Sequence, residues 1–255
     1  MTEPLWRGPA VALITLFHPD GSIDPAATAE HAARVVSAGI RAVLVNGSTA
    51  EASALTDDER PALVAAVRDA CPGVPVLAGA SGEWSGQAAA RIRAAVKAGA
   101  DGVLVAPPRL GGGDLAEYYA RAAEAAGDVP VLAYHYPPVA GGPVPVDRLP
   151  ELPVRGVKDS SGDPARLGHE LSPGWDGEVH VGASALLGHA SWLGAAGAIV
   201  AAANLVPEDC LAAWDRDAAA QHRVMRAERQ AKARPGGLKA AVAARFGTSP
   251  FRRLG

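Results

Sequence analysis

The amino-acid sequence alternates between short runs rich in valine, isoleucine and leucine and longer segments rich in alanine. The longer segments carry charged residues at helical spacing, as in Pro25–Ser37 and 57–70. Strands separated by helices pair in parallel, because a parallel pair needs a crossover connection of helix length. The predicted strands are 10–15, 42–45, 74–78, 102–106, 129–134, 154–158, 178–181 and 198–201, and the other clear helices are 87–98 and 114–126.

Capping residues mark the ends of several predicted helices. Asp24 stands before Pro25, which combines an N-cap carboxylate with a proline in the first helical turn. Thr56 and Glu59 have the spacing of a capping box. Gly39 follows the first helix in the position where helices commonly end.

The number and order of these segments predict the fold. Eight strands alternate with helices in a chain of 255 residues, which favours a (β/α)8 barrel, the TIM barrel, over residues 1–205. Two further helical segments, 208–231 and 238–246, are expected to form a short C-terminal helical extension of the same domain, 206–255. An open, doubly wound sheet is the alternative, but no Gly-x-Gly-x-x-Gly turn follows the first strand.

Composition argues against several classes of partner. The net charge is −3 and no basic stripe is present, so a nucleic-acid partner is not expected. No run of about 18 apolar residues is present, so no membrane-spanning helix is expected. The first residues lack the pattern of a signal peptide, and Cys71 and Cys210 match neither disulfide nor metal spacing. We therefore expect a cytoplasmic protein.

Lys158 ends the predicted sixth strand, and the carboxyl ends of the strands are where barrels of this kind carry their chemistry. The chain has only four lysines against twenty arginines. An amine can lose its proton near neutral pH and attack a carbonyl, whereas a guanidinium cannot. The other lysines fall in helical segments and are interpreted as solvent-exposed charges: Lys97, Lys232 and Lys239.

Two other strand ends could share a pocket with Lys158. Tyr134 ends the fifth strand, and neighbouring strands lie about 4.8 Å apart. Gly47-Ser48-Thr49 follows the second strand, across the barrel. A small 2-oxo acid could place its carbonyl on Lys158 and its carboxylate on the amides and hydroxyls of Ser48 and Thr49. Tyr134 would then transfer protons, with Thr49 as a relay, and burial would lower the pKa of Lys158.

Each of these residues also has a purely structural interpretation. Lys158 could pair with an acid such as Asp159. Tyr134 could be a core aromatic residue with its hydroxyl at the rim. Gly47-Ser48-Thr49 could be only the turn that enters a helix.

Other polar and aromatic residues are given structural roles. Glu51 is interpreted as a support for its loop through backbone hydrogen bonds, in preference to a general base. His135 is expected to point away from the barrel centre, because its neighbour Tyr134 points inward. The histidines show no pairing that indicates a metal site. Four tryptophans are expected to be packing residues: Trp84, Trp175, Trp192 and Trp214.

Several segments together resemble the signature of the dihydrodipicolinate synthase / N-acetylneuraminate lyase superfamily. They occur in the order found in that superfamily and cover most of the chain. The matching segments are 8–24, Asn46-Gly47-Ser48-Thr49-Ala50-Glu51, Tyr134-His135-Tyr136-Pro137, Gly156-Val157-Lys158-Asp159-Ser160-Ser161-Gly162-Asp163, and 194–199 with Ala203-Asn204.

This resemblance implies a class I lyase barrel that forms a Schiff base with pyruvate or a related 2-oxo acid. It makes Lys158 the imine-forming residue and Tyr134 the proton shuttle, with no metal or organic cofactor. The binding residues that it implies are Gly47, Ser48, Thr49 and the backbone of Ile199. It also implies a homo-oligomer, either a dimer or a tetramer.

The chain departs from the signature in four places. Ala50 replaces the second glycine of the loop after strand two. Ala106-Pro107-Pro108-Arg109 stands where dihydrodipicolinate synthases have a tyrosine pair, and Pro138-Val139-Ala140-Gly141 lacks their arginine. The C-terminal helical region is also shorter. We therefore expect a relative that uses the same imine, not dihydrodipicolinate synthase itself.

Three hypotheses follow. The first is an aldolase or lyase that makes or breaks a carbon–carbon bond next to a bound pyruvate enamine, with Arg109 as a candidate contact for the second substrate. The second is a dehydratase of a sugar-derived 2-oxo acid that uses the same imine. The third is a non-catalytic protein that binds an oxo acid.

Overall fold

The computed structural model describes residues 3–110 and 113–254. Its eight strands are parallel and lie in sequence order, and β8 pairs with β1, so the sheet closes into a barrel. The predicted (β/α)8 barrel is therefore confirmed. The strands are β1 Gly8–Ala12, β2 Val43–Val45, β3 Val76–Gly79, β4 Gly102–Val105, β5 Val131–His135, β6 Gly156–Asp159, β7 Glu178–Val181 and β8 Gly197–Val200.

Helices surround the barrel and continue after it. Between β5 and β6 the connection holds a 3-10 helix, Val146–Glu151, in place of an α-helix. The α-helices in the described part of the chain are α1 Pro25–Ser37, α2 Glu59–Ala70, α3 Ser85–Lys97, α4 Leu115–Ala126, α5 Pro164–Glu170, α6 Leu187–Leu193, α7 Pro207–Trp214, α8 Ala218–Ala233 and α9 Gly237–Phe246.

The predicted helix 208–231 is two helices, α7 and α8. Arg216 has a left-handed backbone with φ of 72°, which ends the first helix. The Asp217 side chain accepts hydrogen bonds from the amides of Ala219 and Ala220 and so caps the second. The division of the chain into 1–205 and 206–255 stays a prediction.

Side chains on each strand alternate between the barrel interior and the layer beneath the helices. Leucines from β2 to β5 fill the interior together with Tyr134, Ile199 and Trp6. Valines dominate the outer layer, where they pack against helices. Several predicted strands begin too early because Val74, Val129 and Val154 belong to this outer layer, although they stand in the turns before the strands.

Three predictions of side-chain exposure are wrong. Trp84 and Trp192 are each 65% exposed instead of packed. Trp84 has an extended backbone before α3, so its ring lies over Gly86 on the surface. Lys239, predicted as a surface charge, is only 4% exposed, because α9 places its amine against the Glu51 carboxylate.

No helix in the described ranges is long and apolar enough to cross a bilayer.

Candidate active site

Lys158 and Tyr134 lie side by side inside the barrel, near the carboxyl ends of β6 and β5. The two residues are partners in the strand register. Both are nearly buried, with 5% and 6% of their surface exposed. Lys158 Nζ lies 4.5 Å from the centroid of the Tyr134 ring. The amine and the phenol ring therefore lie next to each other, as expected from pairing of the strands in sequence order.

Burial lowers the pKa of Lys158, and the neighbouring Tyr134 hydroxyl opposes part of this effect. Asp159 is not a partner of the amine: it accepts hydrogen bonds from Ser161 N and Oγ at 3.0 and 2.7 Å. Arg166 Nε lies 3.5 Å from the same carboxylate. A buried amine with a lowered pKa is a better nucleophile near neutral pH than an exposed lysine.

Gly182, the first residue after β7, faces the Lys158 side chain. It stands so close to Lys158 and Ser160 that a side chain at this position would overlap Ser160 and press against Lys158. The glycine therefore makes room for the lysine. No role of Gly182 was predicted from the sequence, although a glycine directly after the predicted strand 178–181 is a recognisable signal.

The loop after β2 has an unusual backbone at both ends. Asn46 and Glu51 adopt left-handed conformations with φ of 58° and 57°, and Ser48–Ala50 between them forms one 3-10 turn. The Asn46 Nδ2 donates to the Arg60 carbonyl at 3.0 Å, which helps to hold the first bend. Asparagine tolerates this conformation better than most residues, whereas glutamate needs its surroundings to maintain it.

A cleft of about 450 Å³ opens at this end of the barrel. Gly47 and Ser48 line it on one side and Tyr134 lines it at the base. Three predicted site residues do not line it. Lys158 lies behind the cleft surface against the Tyr134 ring, Thr49 is half-buried in the loop, and Ile199 packs with Tyr134 inside the barrel. The structure thus brings Gly47, Ser48 and Tyr134 to the cleft surface.

The wall opposite the loop contains the segments that depart from the signature. Pro107, Pro108 and Arg109 all line the cleft. Gly142 N donates to the Pro107 carbonyl at 2.8 Å, and Arg109 Nη2 donates to the Val139 carbonyl at 3.0 Å. These bonds join the connections after β4 and β5 into one wall, and Arg109 stands within reach of a ligand in the cleft.

Glu51 supports its loop through backbone hydrogen bonds, as predicted, but the amides that it contacts lie far from the loop in the sequence. Its carboxylate accepts hydrogen bonds from the backbone amides of Arg253 and Leu254, both at 2.8 Å. Leu254 also lines the cleft. No local pattern in the sequence pointed to residues 253 and 254 as neighbours of this site.

His135 points outward as predicted, since its Nδ1 accepts a hydrogen bond from Val144 N at 3.0 Å.

Two curated proteins are similar to this chain in sequence. An "Uncharacterized DapA-like lyase" of Halobacterium salinarum is 37% identical over 210 residues, which span 79% of this chain and 69% of the relative. A "Probable 5-dehydro-4-deoxyglucarate dehydratase" of Streptomyces griseus is 40% identical over 161 residues, 61% of this chain and 50% of the relative.

The barrel itself has close structural counterparts. YagE of E. coli K12, a prophage protein of the dihydrodipicolinic acid synthase family solved in complex with pyruvate, superposes with a TM-score of 0.88 at 23% identity. The match covers 98% of this chain and 92% of YagE. The model of the dihydrodipicolinate synthetase family matches residues 6–231. With a sequence relative at 37% identity and a family match over most of its length, the chain belongs to the dihydrodipicolinate synthetase family.

Proposed function

We propose that this protein is a class I lyase that binds pyruvate or a related 2-oxo acid as an imine on Lys158. The observation that carries the proposal is the buried Lys158 amine against the ring of Tyr134, which itself lines an open cleft. Membership of a family with lyase relatives supports an enzymatic role.

In the first step, the unprotonated Lys158 Nζ attacks the carbonyl carbon of the oxo acid. The carbonyl oxygen takes up one proton as the carbinolamine forms and a second as it leaves as water. One of these protons comes from the amine nitrogen and the other from an acid, so that amine, ketone and one proton become iminium and water. Tyr134 is proposed to donate and accept these protons, and the contact of its ring with the amine supports this role. Thr49 is proposed as a relay.

The carboxylate of the oxo acid is proposed to bind to the loop after β2. Gly47 and Ser48 line the cleft there, and the 3-10 turn at Ser48–Ala50 offers backbone amides with the Ser48 and Thr49 hydroxyls. The backbone of Ile199 is proposed as a further contact deeper in the barrel. Loss of a proton from the carbon next to the iminium carbon gives an enamine, whose nucleophilic carbon can attack an aldehyde. In the reverse direction, cleavage of that carbon–carbon bond regenerates the enamine and releases the aldehyde.

A second candidate uses the same imine for dehydration of a sugar-derived 2-oxo acid. The similarity to the Streptomyces griseus protein named as a dehydratase favours it. Product analysis separates the two reactions: an aldolase releases free pyruvate from a 4-hydroxy-2-oxo acid, whereas a dehydratase releases water and leaves the carbon chain intact. A non-catalytic relative would bind the oxo acid and give neither product.

Borohydride reduction in the presence of pyruvate tests the imine. The reduced adduct is expected on the peptide that contains Lys158 and absent from the peptides of the three other lysines, which serve as internal controls. The variant Lys158→Met should give no adduct. An unmodified Lys158 across a panel of 2-oxo acids would overturn the proposal. Light scattering in the same samples tests the expected dimer or tetramer.

A further inference from the structure

Glu51 joins the loop after β2 to distant parts of the chain. Its Oε1 accepts a hydrogen bond from Lys239 Nζ on α9, a residue 188 positions away. Its Oε2 accepts the backbone amides of Arg253 and Leu254. The side chains of Glu51 and Lys239 are only 9% and 4% exposed. This carboxylate is therefore desolvated and depends on these donors.

Arg253 extends the same connection to two neighbouring loops. Its guanidinium forms two hydrogen bonds with the Glu59 carboxylate, at 2.7 and 2.6 Å. Nε donates to the Gly21 carbonyl at 2.7 Å, and Nη1 donates to the Ala54 carbonyl at 2.8 Å. One side chain thus ties the connections after β1 and β2 to the start of α2. The planar guanidinium suits this arrangement, which a lysine could not reproduce.

The conformation of the oxo-acid loop depends on this anchoring. Glu51 is a left-handed residue between two 3-10 turns, Ser48–Ala50 and Ala52–Ala54, and it directly follows the first turn. Its own side chain makes no hydrogen bond within the loop; the donors come from α9 and from 253–254. Without these donors, Glu51 would keep only the backbone hydrogen bonds of the two 3-10 turns to offset the cost of its left-handed backbone.

We propose that Lys239 and Arg253 are positioning residues for the 2-oxo acid site. Acting through Glu51, they hold Gly47 and Ser48 in the conformation that binds the substrate carboxylate. Neither residue lines the cleft, so neither is proposed to touch substrate. This inference rests on the proposed imine chemistry at Lys158.

Matched variants separate positioning from a general loss of charge. Arg253→Ala is compared with Arg252→Ala, which removes a charge that also lies near Lys239 but forms no hydrogen bond with Glu51 or Glu59. Lys239→Met is compared with Lys232→Met, whose side chain is 75% exposed. Circular dichroism and thermal melting establish that each variant is folded. Arg253→Lys keeps the charge but loses the paired hydrogen bonds.

The measured quantity is borohydride-trapped adduct as a function of pyruvate concentration. Arg253→Ala and Lys239→Met should raise the half-saturating pyruvate concentration by about 10- to 100-fold, since small misplacements of a binding group have effects of this size. The trapped yield at saturating pyruvate should stay close to that of the unchanged protein, because Lys158 and Tyr134 are untouched. The half-saturating pyruvate concentration of Arg253→Lys should lie between those of Arg253→Ala and the unchanged protein.

Half-saturating concentrations that stay within about twofold of the two control variants would overturn the inference. Hydrogen exchange on the unchanged protein gives an answer even where a variant does not fold. Pyruvate should increase protection of residues 47–54 and 249–254 together. Protection confined to the loop would contradict a connection through Glu51.

The same experiment distinguishes failure of the inference from failure of the proposed function. If the unchanged protein forms no adduct with any 2-oxo acid, then the imine proposal is wrong. If it forms the adduct and the variants bind pyruvate normally, then only the positioning role is wrong.

Discussion

Gly182, the first residue after β7, packs closely against the Lys158 side chain. A Cβ at position 182 would lie 3.1 Å from Lys158 Cε and would overlap Ser160 Oγ. The end of β7 thereby shapes the space in which the amine moves, from the opposite side to Tyr134 on β5.

Gly182→Ala should therefore impair imine formation. The added methyl group must displace Ser160 or Lys158, and we expect the trapping rate with pyruvate to fall by at least about tenfold. Gly168→Ala is the control, because a Cβ on this α5 residue meets no atom within 4 Å. It should leave trapping unchanged and leave the melting temperature equal or slightly higher. Equal rates in both variants would contradict the assigned contact.

Tyr134→Phe tests the proton transfer. The substitution keeps the ring against Lys158 and removes only the hydroxyl, so the imine should form more slowly by about 10²- to 10⁴-fold. Tyr136→Phe is the matched control, since its ring lies 6.4 Å from that of Tyr134 and it does not line the cleft. Rapid-quench borohydride trapping gives both rates. If Tyr134→Phe forms the imine at the same rate as the control, then the Tyr134 hydroxyl does not transfer protons in this reaction.

Lys158→Met should stabilise the protein while it abolishes the adduct. Burial lowers the pKa of Lys158 below its usual value of 10.5, so at neutral pH the unfolded chain holds this proton more tightly than the folded one. Methionine is apolar and of similar length, so it removes the free-energy cost of burying the amine. Thermal melting at pH 7 should show a higher midpoint for Lys158→Met than for Lys97→Met at an exposed site. A lower midpoint for Lys158→Met would contradict this interpretation.

Acid should destabilise the protein through His31. Burial and the nearby Arg34 lower the pKa of His31 to about 4, from 6.5 in an unfolded chain. Between these values the unfolded state binds more protons, so stability is retained above pH 6.5 and falls as the pH decreases towards 4. This histidine contributes about 3 kcal/mol to the decrease.

Urea denaturation of the unchanged protein and of His31→Gln at several pH values checks this contribution. His222→Gln is a control at an exposed helical position. The free energy of unfolding of His31→Gln should depend less on pH between 6.5 and 4 than that of the control. If the free energies of unfolding of His31→Gln and His222→Gln change with pH in parallel, then other groups cause the acid sensitivity.

The order of the barrel and the pairing of Tyr134 with Lys158 were predictable because both depend on local patterns. Helical and strand periods are visible over ten residues, and consecutive strands in this fold are neighbours. The anchoring of Glu51 was not predictable in this way. Lys239 looks like any charged helical residue, and only the path of α9 brings it to a loop 188 positions earlier.

The eight-stranded barrel, the family signature and an amine at the end of β6 thus follow from local patterns along the chain. The packing of Gly182 against that amine, and the hydrogen bonds of Lys239 and Arg253 to Glu51, depend on the complete fold. The two kinds of interaction differ in their range along the chain. Backbone hydrogen bonding and hydrophobic periodicity act between near neighbours, whereas a desolvated carboxylate is satisfied by whichever donors the complete fold brings to it.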